Sequence, residues 1–186
     1  MNVLDAIRGR RSIRRYKPDP VPDAILEQVL EAARWAPSWA NSQCCRLVVV
    51  KDGATRARIA DALKQGNRST EAVRNAPVVI VACAEMGKAG WYHGELSTDK
   101  GDWYMFDVAL AMENLSLAAH ELSLGTVHVG LMNAKKIEEA LQVPTGVKVV
   151  ELTPLGYPDE QPKGPGRKDL GEIAFYEKYG QQKHGR

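Results

Sequence analysis

This 186-residue chain has few cysteines, a small net charge and only short apolar runs. Cys44, Cys45 and Cys83 form no CxxC pair and have no Cys/His spacing of the zinc type, so neither a disulfide framework nor a metal site is expected. The net charge of +2 excludes a long-range field suited to nucleic acid. The longest apolar runs, 47–50 and 77–84, are far shorter than the roughly 20 residues that cross a bilayer. We therefore expect no nucleic-acid partner and no membrane span.

The N-terminus lacks the succession of basic, apolar and small residues that marks a secretion signal. This absence predicts a cytoplasmic protein. Hydrophobic residues make up 44% of the chain and charged residues 26%, which is close to the average of globular proteins. At this length one hydrophobic core is the default, so a single domain over residues 1–186 is expected.

Helical and extended patterns alternate irregularly along the chain, which predicts an α+β fold rather than a regular βαβ array. The predicted helices are one at the N-terminus, one capped by Asp23 and ending near Pro37, two over 55–63 and 102–123, one capped by Asn133 and running to about Leu141, and a short one near the C-terminus. The predicted strands cover 46–50, 77–84, 126–130 and 147–155. The strand at 77–84 is apolar throughout and should be central. Residues 86–101 are expected to form a long loop.

The helix predicted over 102–123 has apolar and small residues around nearly its whole circumference. Such a helix is normally buried on all sides. In so short a chain this burial is easier to reach if a second subunit covers one side, so we predict a homodimer built around this helix. Gly125 is expected to end the helix as its C′ residue.

Six of the ten residues between Arg8 and Lys17 are basic. Within this cluster, Arg10, Arg11, Ser12 and Arg14 offer guanidinium forks and a hydroxyl, which match the oxygens of a phosphate monoester. Two other interpretations stay open on the residues alone. The cluster could complement the dipole of a helix end, or it could be a nucleic-acid arm, which the absence of interleaved aromatic residues disfavours.

A second candidate segment runs from Pro37 to Gln43 and contains Ser38, Asn41 and Ser42. It places small polar groups between a helix and a strand, where a loop can lie against a planar heterocycle. On composition alone it is equally an ordinary connecting loop with turn-forming Asn and Ser.

Taken together, the motifs resemble those of the nitroreductase family of FMN enzymes, over nearly the whole chain. The matching segments are R-R-S-I-R from Arg10 with Tyr16 after it, A-P-S-x-x-N-x-Q from Ala36, A-P-V-V-I from Ala76, D-x-A-x-A-x-E-N-L from Asp107, G-T-V-H-V-G from Gly125, and L-G-Y-P ending at Pro158 with R-K-x-L from Arg167. Each is common by chance, whereas six in this order are specific. The resemblance implies a mostly antiparallel central sheet flanked by helices, in an intertwined homodimer.

The resemblance also implies a set of FMN contacts. Arg10, Ser12 and Arg167 would form a phosphate clamp, with Arg11 adding contacts. Arg14 would face the N1 and O2 edge of the flavin, where a cation stabilises the negative charge that reduction creates. Other contacts would come from Pro37, Ser38, Asn41 and Gln43, reaching the flavin of the other subunit, and from Val129, Gly130 and Leu131 near N5.

In this family hydride passes from NADH or NADPH to flavin N5, and a small electrophilic acceptor, nitroaromatic or quinone-like, then takes the place of the nicotinamide in a ping-pong reaction. The cofactor carries the chemistry, so no side chain is assigned as catalytic. Two alternatives stay open: a specialised relative that acts in oxidation, dehalogenation or flavin breakdown, and a binding protein without turnover. The physiological acceptor and the choice among NADH, NADPH and a protein donor are not determined by the sequence.

Substrate contacts are assigned to the 86–101 loop, with Trp91, Tyr92 and His93 as candidate walls, and further candidates at Gln65, Asn67 and Arg68. The histidines at 93, 120, 128 and 184 have no metal spacing and suggest no catalytic triad. Many relatives have Pro-Trp where this chain has Cys44 and Cys45. A redox role for this pair is disfavoured, because adjacent cysteines rarely form an unstrained disulfide.

Overall fold

A computed structural model describes residues 2–183, which contain both helices and strands. The helices are α1 (Val3–Gly9), α2 (Asp23–Arg34), α3 (Gly53–Asp61), α4 (Thr70–Asn75), α5 (Tyr104–Glu121), α6 (Ala134–Leu141) and α7 (Leu170–Ile173). The strands are β1 (Cys45–Val50), β2 (Val78–Glu85), β3 (Trp91–Tyr92), β4 (Glu95–Leu96), β5 (Gly125–Thr126) and β6 (Val147–Gly156). A short 3-10 turn covers Trp39–Asn41.

The main sheet has the strand order β1-β2-β6-β5, and each of these neighbouring pairs is antiparallel. Strand β2 pairs with β1 on one side and with β6 on the other, so it is central, as its apolar sequence predicts. The predicted α+β class with an antiparallel central sheet is confirmed.

Alternate residues of β2 enter two different cores, because successive side chains of a strand point to opposite faces. Val78, Ile80 and Ala82 pack with apolar residues of α2 and α5. Val79 and Val81 pack instead with residues of α3, α4 and α6. The sheet therefore has helices on both faces, and α5 lies against one of them.

Two predicted helix ends are wrong. Asp23 is the first residue of α2 rather than its cap, since Pro22 is the N-cap and the Asp23 carboxylate pairs with Lys51. Gly125 does not end α5, because the left-handed residue after that helix is Ser123, with φ 63°. Gly125 lies in β5, where a Cβ would stand 2.7 Å from Ile13, so its hydrogen side chain allows close packing of two segments.

Two short elements were missed by the sequence prediction. Helix α4 has only six residues, too few for an apolar period to emerge. The segment 86–101 is not loop throughout, because β3 and β4 form a hairpin. Its turn has positive φ at His93 (50°) and Gly94 (83°), as in a type I′ hairpin turn.

Helix α5 is buried on one side within the single chain. Asp107, Val108, Ala111, Met112 and Leu115 are among its buried residues. On another side Met105 and Phe106 are 55% and 53% exposed. Burial on all sides is therefore not reached by one chain alone, and the second subunit stays a prediction. None of the helices in residues 2–183 is both long and apolar enough to cross a membrane.

Candidate functional site

Basic residues from the two ends of the chain line one pocket of about 340 Å³. The full lining is Ile7, Arg8, Arg10, Arg11, Ser12, Gly164, Pro165 and Arg167. The structure thus brings together Arg10, Arg11, Ser12 and Arg167, the four residues assigned to a phosphate. No acidic residue is among those that line this pocket in the described chain. Its chemistry is that of an anion site.

The position of Ser12 in this pocket follows from a contact with β5. Ser12 forms a parallel bridge with Thr126, and the N–H of Ile13 donates to the carbonyl of Thr126 at 2.9 Å. This pairing keeps residues 12 and 13 extended beside the sheet. The close packing that Gly125 allows against Ile13 belongs to the same contact.

Part of the hydrogen-bonding capacity of Arg10 is unused. Its Nε is buried and has no hydrogen-bond partner among residues 2–183, and Glu113 Oε1 lies 3.8 Å away. Arg11, by contrast, donates to the carbonyls of Arg8 and Arg10, at 2.6 and 2.8 Å. Buried polar groups are normally hydrogen-bonded, so a guanidinium nitrogen that has only a long ion pair beside a basic pocket is suited to an anionic ligand.

Arg14 does not line this pocket. Its backbone N–H donates to Glu160 Oε1 at 2.5 Å, and its side-chain Nε is buried without a hydrogen-bond partner in the described part of the chain. Arg14 therefore has an anchored backbone and an unpaired guanidinium nitrogen.

A second cavity, of about 380 Å³, lies next to the basic pocket and shares Arg10 and Arg11 with it. His120 and Glu160 contribute to its walls. Burial, followed by the charges of Arg10 and Arg11, lowers the pKa of His120 below its ordinary value. These surroundings favour the neutral form of His120 at the C-terminal end of α5.

The loop over residues 37–43 is organised by Asp107, a buried carboxylate on α5 that is 2% exposed. Asp107 accepts hydrogen bonds from the N–H of Trp39 at 2.9 Å, from Ser42 Oγ at 2.7 Å and from Cys44 Sγ at 3.5 Å. Sequence reasoning did not assign it a role. The signal that was available is its place at the head of the D-x-A-x-A-x-E-N-L motif.

The same loop carries unusual backbone conformations. Ala40, Asn41 and Gln43 have φ of 41°, 56° and 47°, in the left-handed region that non-glycine residues avoid. Ser38 Oγ accepts the N–H of Gln43 at 3.0 Å. Such conformations persist where the surroundings hold them, and here they hold Asn41 and Gln43 in exposed positions.

The predicted loop contacts do not reach the basic pocket within one chain. Pro37, Ser38 and Gln43 line a separate cavity with Asp107, and Asn41 lines neither. The 10–12 segment meets α5 farther along, since Arg10 lies beside Glu113 and a Cβ on Gly9 would be 2.8 Å from His120 Nε2. At 1.5 Å per residue these points are about 9 and about 20 Å from Asp107 along the helix axis.

The three residues assigned near N5 are placed differently from one another. Val129 is 3% exposed, and its N–H and carbonyl both pair with Leu152, at 2.9 and 3.1 Å. Gly130 and Leu131 are exposed, and neither of their N–H groups has a partner among residues 2–183. The carbonyl of Leu131 accepts from the side chain of Asn67 at 2.9 Å. The open donors of this segment therefore belong to Gly130 and Leu131, and Asn67 supports them.

His128 is held between side chains of β6 and α5. Its Nδ1 lies 2.8 Å from Glu151 Oε2, and its Nε2 lies 3.3 Å from Ser116 Oγ and 3.8 Å from Glu113 Oε2. Ser116, His128 and Glu151 follow one another as in a Ser–His–carboxylate triad. Ser116, however, is 1% exposed and does not reach solvent. The hydrogen bond to Glu151, followed by the charges of Glu151 and Glu113, raises the pKa of His128, against burial and Arg10.

No group of three or more His, Cys, Asp or Glu side chains in residues 2–183 is arranged to hold a metal ion. His184 lies outside the described residues.

The candidate substrate residues Trp91, Tyr92 and His93 lie in the β3–β4 hairpin. The rings of Tyr92 and His93 are 4.1 Å apart, and Tyr92 is 71% exposed. Trp91 Nε1 is buried and unpaired within the described chain. None of the three lines the basic pocket or the cavity beside the 37–43 loop.

Sequence reasoning missed an aromatic cluster near these residues. The rings of Trp39 and Trp103 lie 5.0 Å apart, and those of Trp103 and Phe106 lie 5.3 Å apart. Trp103 Nε1 donates to Thr98 Oγ1 at 2.9 Å. The cluster thereby joins the 37–43 loop to the 86–101 segment and to the start of α5.

The cysteines are free thiols. Burial raises the pKa of Cys44 to about 11 and that of Cys45 to about 12. Both are therefore protonated at neutral pH, and a thiol in this state is a poor nucleophile and a poor redox partner. The absence of a redox role for this pair stays a prediction.

The sequence matches the nitroreductase family over residues 7–73 and 67–157, which together span most of the chain. A Methanothermobacter thermautotrophicus protein named "Putative NADH dehydrogenase/NAD(P)H nitroreductase" is 32% identical over 174 residues, covering 91% of this chain and 83% of that protein.

Two solved structures are similar along their whole length. A nitroreductase family protein from Clostridium novyi superimposes with a TM-score of 0.79 at 32% identity, covering 98% of this chain and 97% of the other. A nitroreductase-type protein from Desulfovibrio desulfuricans, in complex with FMN, superimposes with a TM-score of 0.78 at 30% identity, covering 96% and 99%.

The residues of this chain fit such a cofactor. The basic pocket offers guanidinium and hydroxyl donors to a phosphate, and the buried Nε atoms of Arg10 and Arg14 have no hydrogen-bond partner within residues 2–183. The unpaired N–H groups of Gly130 and Leu131 suit the polar edge of a flavin ring. The chain therefore belongs to the nitroreductase family and is an FMN-dependent NAD(P)H oxidoreductase.

Proposed function

We propose that this protein passes hydride from NADH or NADPH to a small electrophilic acceptor, nitroaromatic or quinone-like, in two alternating half-reactions at one FMN site. The observation that carries the site is the pocket in which Arg10, Ser12 and Arg167 converge, with no acid in its lining among the described residues. These residues bind the phosphate of the cofactor, and Arg11 keeps the segment compact through its bonds to the carbonyls of residues 8 and 10.

The isoalloxazine ring, in this proposal, is held by three groups. Arg14 lies at the N1 and O2 edge, where its fixed positive charge stabilises the negative charge that accompanies reduction. The free N–H groups of Gly130 and Leu131 donate to the ring on the N5 side. FMN supplies the hydride-accepting atom, and the protein supplies binding, orientation and charge.

A second copy of the chain completes each site in this proposal. In one chain, the basic pocket and the cavity beside the 37–43 loop are separate cavities along α5. In this proposal the loop residues therefore act on the flavin of the partner; they are Pro37, Ser38, Asn41 and Gln43. Apolar side chains left exposed in the single chain support pairing: Val3, Leu4 and Ile7 of α1 are 69%, 59% and 51% exposed. Contiguous exposed apolar surface of this kind is typical of an interface.

The test begins with the visible absorption spectrum of the purified protein and its mass by size-exclusion chromatography with light scattering. Anaerobic addition of NADH, and separately of NADPH, should bleach the flavin bands within seconds. Later addition of a nitrobenzoate or a benzoquinone should restore them. Parallel lines in double-reciprocal plots against donor and acceptor are expected for the alternating reaction.

Other outcomes separate the alternatives. Flavin bands that persist with both nucleotides indicate a binding protein or a different donor. Bleaching without reoxidation by either acceptor indicates a specialised oxidation or dehalogenation. A colourless protein that FMN does not reconstitute contradicts the proposed site, and a flavin-loaded monomer contradicts the shared site.

A further inference from the structure

The segment that carries Arg14 is held by the C-terminal part of the chain. Tyr16 forms an antiparallel bridge with Pro158. The N–H of Lys17 donates to the carbonyl of Tyr157, and the N–H of Asp159 donates to the carbonyl of Arg15, both at 2.9 Å. Residues 14–17 and 157–160 thus run side by side as a short two-stranded ladder.

Glu160 extends this ladder by a side-chain contact at the position of Arg14. Its Oε1 accepts the backbone N–H of Arg14 at 2.5 Å and that of Arg15 at 3.1 Å, and its Oε2 lies 3.4 Å from Arg15 Nε. The Glu160 side chain is 19% exposed, whereas that of Arg15 is 71% exposed. A mostly buried carboxylate therefore holds two consecutive amides, and its ion pair with Arg15 is largely open to solvent.

The carboxylate binds the Arg14 main chain and leaves the side-chain Nε of Arg14 without a hydrogen-bond partner in residues 2–183. This Nε is buried, and the closest contact of Arg14 with Glu160 is through the main chain. The contact with Glu160 therefore constrains the Arg14 backbone, while the buried Nε keeps a hydrogen-bond donor for a ligand.

We propose that Glu160 is the positioning residue of the cofactor site: by accepting the amides of Arg14 and Arg15 it aims the Arg14 guanidinium at the flavin. This rests on the proposed role of Arg14 at the N1 and O2 edge. Glu160 does not touch the cofactor, and its effect is transmitted through the backbone of residues 14 and 15.

Three variants distinguish the loss of the hydrogen-bond acceptor at Glu160 from the loss of its negative charge. Glu160→Ala leaves two amides without their acceptor and should weaken FMN binding roughly tenfold or more. Glu160→Gln keeps an acceptor oxygen and should stay within about threefold of the wild type. Asp159→Ala removes the same charge from the neighbouring exposed residue, and it should leave the affinity unchanged. Titration of FMN fluorescence into the apoprotein measures all three.

The midpoint potential of bound FMN distinguishes a specific effect of Glu160 on the position of Arg14 from a general loss of protein stability. Glu160→Ala should make the potential more negative, in the same direction as Arg14→Ala. In the Arg14→Ala background the added effect of Glu160→Ala should vanish, because coupled residues are non-additive. If Glu160→Ala does not fold, Glu160→Asp retracts the carboxylate by one methylene and should produce a smaller shift of the same sign.

Two sets of results overturn the proposal in different ways. If Arg14→Ala shifts the potential but Glu160→Ala does not, or if the two effects simply add, Glu160 does not position Arg14. Equal damage from Glu160→Gln and Glu160→Ala also overturns the acceptor role. If Arg14→Ala itself leaves affinity and potential unchanged, the assignment of Arg14 is wrong, and the role of Glu160 fails with it.

Discussion

The basic pocket and the 37–43 loop differ in how many of their polar groups have hydrogen-bond partners. In the pocket, Arg10 Nε is buried and has no hydrogen-bond partner in the described chain, so binding capacity is left over for a ligand. In the loop, Asp107 takes up the donors of Trp39, Ser42 and Cys44. The pocket keeps an open donor, whereas the polar groups of the loop are largely paired with Asp107 and with one another, and the loop exposes Pro37, Ala40, Asn41 and Gln43. Donors without partners are suited to an anion, whereas a loop whose polar groups are already hydrogen-bonded is suited to form a rigid surface.

The largest expected effect is on the loop. Asp107→Ala leaves several donors unpaired beside three residues with positive φ, and should lower the free energy of unfolding by about 3 kcal/mol. Urea denaturation of the apoprotein measures this loss. Glu113→Ala on the same helix is the control, because its side chain is 47% exposed and its ion pairs should contribute less than about 1 kcal/mol. If Asp107→Ala costs no more than Glu113→Ala, the loop is not held by Asp107.

The next effect is on the pocket. Arg10→Ala and Arg167→Ala each remove charged donors and should weaken FMN binding about 10- to 100-fold, with little change in unfolding. Arg58→Ala, an exposed arginine on α3, removes the same charge away from the pocket and should bind FMN normally. A fully loaded yellow Arg10→Ala/Arg167→Ala protein would contradict the phosphate assignment.

A smaller effect concerns pH. Glu151 and Glu113 raise the pKa of His128, while burial and Arg10 oppose this. The stabilisation is therefore complete below the unfolded value of about 6.5 and is lost as pH rises through the higher folded pKa. Because the side chain is 38% exposed, solvent screening should keep the loss below about 1 kcal/mol. The check is the pH dependence of unfolding from pH 6 to 9, which should flatten in His128→Gln. If the free energy of unfolding of His128→Gln changes with pH as in the wild type, another group causes the pH dependence.

The last prediction concerns the reactivity of the thiols next to the loop, where no change in stability or cofactor binding is expected. With the pKa of Cys44 raised to about 11 and that of Cys45 to about 12, iodoacetamide at pH 8 should modify them at least about 100-fold more slowly than it modifies the urea-unfolded chain. Mass spectrometry follows the labelling. Asp107→Ala removes the hydrogen-bond acceptor of the Cys44 thiol, so labelling should be faster in this variant. Rapid labelling of the wild type would mean that the loop opens.

The sequence predicted those features that depend on local pattern. An unbroken apolar run at 77–84 requires a strand covered on both faces, and β2 has that position. Asn133 was predicted to cap a helix, and its side chain accepts the N–H of Lys136. Local patterns failed at Asp23 and Gly125, because a tertiary ion pair and a close contact with Ile13 use those residues differently.

Composition and motif order alone determined the α+β class, the basic cluster and the family, because apolar periodicity and ordered motifs are written along the chain. Only the tertiary structure decided that Arg167 joins Arg10 and Ser12 in one pocket and that Asp107 closes the loop. It also decided that Glu160 reaches the amides of Arg14 and Arg15. Residues so far apart in sequence meet through the packing of α5, the sheet and the C-terminal segment, and no local propensity encodes which side chains that packing brings within hydrogen-bond distance.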